Sequence, residues 1–145
     1  MTEQERRDRE EIRVLMMRYH VNGDSGRLDG LAATFEPDGI LQFGDTQSRG
    51  PAQIIAWLSG GRGGRNPALT FVRHNLTTSL IDFEGETAKG RSYFVVFTDI
   101  GLDHMGVYTD RFHKVDGAWR FAHRKVKLDW RSPQSLFGGG EAPKG

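Results

Sequence analysis

The sequence predicts one α+β domain: a cone-shaped barrel in which N-terminal helices pack against a curved antiparallel sheet. Three observations predict it. Helical periodicity is confined to the first part of the chain, the period then switches to two, and four long strand-like runs follow on short turns. At 145 residues the chain suits a single continuous core.

Residues 3 to about 23 read as a helix, with Ile12, Leu15, Met16 and Tyr19 on one side and Glu10, Glu11, Arg13 and Arg18 mostly on the other. Gly23 and Gly26 break that pattern around Asp24. A second short helix carries Leu28, Leu31, Ala32 and Phe35 on one face and is closed by Pro37. Asp38-Gly39 is a turn, and Ile40, Leu41 and Phe43 begin a short strand. Gly50-Pro51 opens a third helix over Ala52 to Leu58, where an early proline loses little. Ser59 to Pro67 (SGGRGGRNP) reads as a mobile loop.

The strand-like runs cover about 69–83, 87–98, 105–115 and 118–130, and Asp116-Gly117 between the last two is a hairpin signal. The single domain spans 1–145, with its core at 8–130 and a loose tail at 132–145. Phe112 and Trp119 are expected on the outer side of the sheet, where an apolar face would favour a homo-oligomer, dimer or trimer.

Composition narrows the function classes. The formal net charge is +1, so no charge excess points to nucleic acid, and the two arginines of GGRGGR make no basic face. Cysteine is absent, which excludes disulfides and thiolate chemistry. No apolar run is long enough to span a membrane and no secretory h-region opens the chain, so a cytoplasmic protein is expected. The histidines lack HxH or HExxH spacing, and neither a dinucleotide nor a phosphate-loop motif occurs, so no metal or cofactor is expected.

In a strand after Arg73, unbroken alternation puts His74, Leu76, Thr78 and Leu80 on one face and Asn75, Thr77, Ser79 and Ile81 on the other. An inward histidine titrates near neutrality and can move protons, although alone it is more often a structural group. A carboxylate partner changes the balance, and Asp24 is the candidate. Asp24 alone would pass for a turn residue, and Tyr19, five positions earlier, for core. In the last strand, alternation puts Arg124 in phase with Ala122, Val126 and Leu128, and Trp119, Phe121, His123 and Lys125 in the other phase. An arginine on an apolar-leaning face must be paired, line a cavity or snorkel at the rim.

The run YHVNGD…LDGLAATFEPDGILQFG, with GPAQIIAWL, RHNLTTSLIDFEGETAKGRS and GVYTDRFHKVDGAWRFAHRKV, resembles the SnoaL-like branch of the nuclear-transport-factor-2-like superfamily. The resemblance covers about residues 8 to 130 and implies the cone-shaped fold. It also implies an Asp–His dyad at Asp24 and His74, with Tyr19 matching a tyrosine of the family's dehydratases and Arg124 an arginine of its dehydrochlorinases. Gly23 departs from the tyrosine that some dehydratases carry there, and their second histidine has no clear match, although His104 or Tyr108 could approach from a neighbouring strand.

The implied activity is a cofactor-independent, lyase-type elimination, a dehydration, on a small apolar cyclic, polyketide-like or steroid-like substrate. An isomerase or cyclase with the same dyad, a non-catalytic small-molecule binder and a dioxygenase β-subunit are the alternatives that this fold also hosts.

Overall fold

The structure is a computed structural model that describes residues 1–61 and 65–137. Helix α1 runs Glu3–Asp24. Thr2 caps it by accepting a hydrogen bond from the Glu5 N–H at 3.0 Å, and Glu3 and Glu5 complement the positive helix end. Its apolar stripe is buried as its spacing predicts: Ile12, Leu15, Met16 and Tyr19, joined by Asp8 and His20. The helix stops after Asp24, where Gly26 takes a φ of 74° that side-chain-bearing residues avoid.

Next come α2 (Leu28–Ala32), β1 (Phe35–Phe43), β2 (Thr46–Arg49) and α3 (Gly50–Ala56), which runs on into a π-helical turn, Trp57–Gly61. Two expectations change here. Phe35 starts a strand instead of ending a helix. Pro37 and Asp38 sit where the β1–β6 register shifts between Phe35 and Ile40, an irregularity that spares the proline a ladder bond. The GGRGGR stretch begins inside the π-helical turn, and residues 62–64 of the expected mobile loop lie outside the described residues.

Four long strands follow: β3 (Val72–Glu84), β4 (Thr87–Thr98), β5 (Gly101–Val115) and β6 (Ala118–Arg131). The β5–β6 turn has Asp116 at φ 52° and Gly117 at φ 78°, the two positive values that a type I′ hairpin requires.

The sheet order is β2-β1-β6-β5-β4-β3. The expected all-antiparallel sheet is in fact mixed, because β1 pairs with β6 in parallel. That pairing needs a long crossover, which α3 and the other four strands supply. Nor does the sheet close: β2 and β3 are its edges, so the cone is a curved, open sheet with α1 packed on it.

Bulges curve the strands and reset which side chains face α1. In β3 the register slips between Leu76 and Thr78, so His74 and Leu76 share a face with Ser79, Ile81 and Phe83, while Leu80 is 70% exposed. In β6 the slip across Ala122 puts Trp119, Phe121, Arg124 and Val126 together inside. Unbroken alternation is thus wrong in both strands. Phe112 and Trp119, expected outside, are core residues at 0% and 1% exposure, and Trp119 donates its indole N–H to Asp8 at 2.9 Å.

The outer face carries Tyr93, Phe97, Met105 and Trp130 instead. It also holds an open groove of about 480 Å³ that takes in Arg91, Lys125 and Lys127. The first part of the expected loose tail, Ser132 to Phe137, is tied down on Asp103, and residues 138–145 lie outside the described residues. Among the described residues no helix is long and apolar enough to cross a membrane.

Candidate functional site

Asp24 is the last residue of α1 and His74 the third of β3, so the helix end and the strand start bring together side chains 50 positions apart. Asp24 grips His74 twice. Oδ2 accepts the His74 backbone N–H at 3.1 Å, and Oδ1 lies 2.6 Å from Nδ1. A carboxylate can only accept, so the neutral ring carries its proton on Nδ1 and leaves Nε2 as the basic nitrogen. Among the described residues Nε2 has no hydrogen-bond partner. The pair is partly buried, with side chains 22% and 11% exposed, so the ring is sheltered and reachable at once.

Behind His74 the wall is aromatic. His20 of α1 stacks on it with centroids 5.1 Å apart and planes 16° from parallel. Tyr19 meets His20 edge-on at 5.1 Å and Tyr108 at 6.3 Å. Arg124 lies under these rings, its guanidinium carbon 4.4 Å from the Tyr19 centroid and 3.7 Å from that of Tyr108. Arg124 is wholly buried, and it donates through Nε to Asp110 at 2.9 Å and through Nη2 at 3.2 Å. Of the alternatives open to it, the arginine is paired; its Nη1 has no partner among the described residues.

The four residues singled out from the sequence therefore form one connected group, but not one shell. Asp24 and His74 touch. Tyr19 packs on His20, which stacks on His74, and Arg124 lies against the Tyr19 ring.

Two further histidines complete the enclosure. His104, on β5, has Nδ1 2.6 Å from Asp103, and its ring stands 6.3 Å from that of His74 at 81°. Asp103 also accepts from the Ser135 and Thr98 hydroxyls and the Leu136 N–H, while Phe137 packs on the His104 ring at 4.9 Å. Burial pushes the Asp103 carboxyl up, but these donors outweigh it and hold the group below the usual carboxylate range. His104 is thus a second carboxylate-anchored imidazole, approaching from the neighbouring strand.

His20 was missed in the sequence, although its spacing from Ile12 and Met16 puts it on the buried stripe of α1. Burial, then the charges of Arg124 and His74, pushes His20 well below the usual histidine range, so it is neutral. Burial also drives the Tyr108 phenol well above its ordinary range.

Comparison with known proteins agrees with this architecture. A protein of unknown function from Mycobacterium tuberculosis is 28% identical, over 88% of this chain and 75% of its own, with a TM-score of 0.76. A nuclear-transport-factor-2-like protein with a cystatin-like fold from Novosphingobium aromaticivorans is 27% identical over 91% and 88%, at 0.75. A protein named as a candidate scytalone dehydratase, also from Novosphingobium aromaticivorans, superposes with a TM-score of 0.81 over 100% and 98% of the two chains; at 22% identity it bears on the fold alone. The profile of the SnoaL-like domain matches residues 4–125, and the chain belongs to that family.

Proposed function

We propose that the protein is a cofactor-independent lyase that eliminates water from a small, mostly apolar cyclic substrate of polyketide-like or steroid-like character. The observation that carries this reading is the double grip of Asp24 on His74, which leaves a sheltered Nε2 as base. His74 Nε2 takes the proton next to a carbonyl, and the C–H electron pair becomes an enolate. Asp24 stabilises the imidazolium, and the Tyr19 hydroxyl donates to the developing oxyanion. As the enolate collapses, the carbon–carbon double bond forms and the β C–O bond breaks. His74 returns its proton to the departing hydroxyl, so one water leaves and the enzyme is restored.

Arg124, enclosed behind Tyr19 and Tyr108, supports this by the positive field it sets on the phenols rather than as a first contact with substrate. General acid–base catalysis of this kind contributes about 10²–10⁴-fold. Turnover of a panel of cyclic β-hydroxyketones by wild type, H74A and D24N tests the reading. The expected result is loss of about 10² or more in rate in both variants. Unchanged turnover in both sinks the assignment.

The second anchored imidazole, His104, gives one specific reason to keep an isomerase in view, since two proton stations also suit a proton shift. Product mass separates the two, because elimination loses water and isomerisation does not.

A further inference from the structure

One buried titratable group has no part in that chemistry. His20 sits four residues before Asp24, is 5% exposed, and has no partner for either ring nitrogen among the described residues. As a structural group this is costly, because buried polar atoms without hydrogen bonds forfeit their water for nothing.

Its neighbours come from four elements. Tyr19 is beside it on α1 at 5.1 Å, Tyr108 faces it from β5 at 5.5 Å, Arg124 adds its charge from β6, and His74 of β3 stacks on it at 5.1 Å and 16°. His74 in turn meets Asp24 at its edge, with Phe94 at 6.4 Å and His104 at 6.3 Å. Of all these contacts, only the stack lies nearly parallel to the His74 ring.

We propose that His20 is a positioning residue for the dyad: its face, stacked on His74, fixes the plane in which Nδ1 meets Asp24 and Nε2 stays available to substrate. The inference rests on the acid–base reading of Asp24–His74. Stacked rings present faces rather than nitrogens, so no hydrogen bond joins them and no proton passes between them. The neutral ring has a second consequence. A proton taken by His74 does not pass inward to His20, and its routes run through the Asp24 carboxylate, the substrate and the exposed edge of the ring.

The test is nuclear magnetic resonance of the five histidine rings in wild type, H20F and H20A, followed from pH 5 to 8 without substrate. In wild type His20 is expected to take up no proton in that range, and the His74 Nδ1 proton to give a slowly exchanging signal. H20F keeps the stacked face and should keep that signal. H20A removes the face, and exchange should become at least about tenfold faster or the signal vanish.

Protonation of His20 within the range, loss of the signal in H20F, or an unchanged signal in H20A overturns the proposal. If H20A does not fold, wild type and H20F still decide it. No readout here involves turnover, so a substrate panel without activity would sink the elimination reading and leave this result standing.

Discussion

Asp110 and Arg124 are both wholly buried and meet through two contacts, Nε to Oδ1 at 2.9 Å and Nη2 to Oδ2 at 3.2 Å. Burial pushes the Asp110 carboxyl up against the pull of Arg124, so desolvation offsets much of what the pairing contributes. Such a pair is costly to break and cheap to replace whole. D110A, which leaves Arg124 charged and alone beneath Tyr19 and Tyr108, should lose about 3–5 kcal/mol. The D110L/R124M double variant should be closer to wild type in stability than D110A is. Urea unfolding of the two variants checks this, and a double variant less stable than D110A would show that the pair is a net source of stability.

Asp103 ties the acid sensitivity of the fold to the enclosure around His104. Its folded-state pKa lies below the unfolded value because the donors from Ser135, His104, Leu136 and Thr98 outweigh burial. The sign follows: the contribution is fully present above about pH 4 and is lost as pH falls through the folded-state value. D103N should therefore cost about 2–3 kcal/mol at neutral pH, the scale of losing hydrogen bonds to a buried charge. The gap between variant and wild type should narrow below about pH 4. Urea midpoints measured from pH 7 down to 3 check it, and a pH-independent gap would remove the carboxylate from the explanation. The same variant should loosen the Ser132–Phe137 segment, visible as faster amide exchange at Leu136.

Much of this was legible in the sequence because it is carried by local signals. The α1 stripe, the Asp116-Gly117 hairpin and the order of helices before strands follow from spacing and turn chemistry. The Asp24–His74 pair was legible only with the family resemblance beside it, since each residue alone reads as structural. What local reading could not supply was long-range. The parallel β1–β6 pairing and the anchoring of Ser132–Phe137 on Asp103 depend on partners far along the chain. The bulges at Thr77 and Ala122 leave no mark in composition, yet each turns the rest of its strand over. Gly106 is a partial exception, because a Cβ there would lie 2.0 Å from the Lys127 carbonyl oxygen and only glycine fits that close approach.

The β3 bulge gives a direct contrast between the two readings. Unbroken alternation from His74 buries Leu80 and exposes Ile81, whereas the slip between Leu76 and Thr78 does the opposite. Leu80 is 70% exposed and Ile81 7%. L80K should therefore change stability by no more than about 0.5 kcal/mol, as surface substitutions do. I81A removes side-chain volume packed between β3 and α1, where the Arg9 guanidinium also donates to the Ile81 carbonyl at 2.9 Å. It should cost about 2–5 kcal/mol. Thermal or urea unfolding of both variants decides between the readings. A severe loss in L80K with little change in I81A would mean that the strand runs without the bulge, and that Ser79, Ile81 and Phe83 do not share a face with His74.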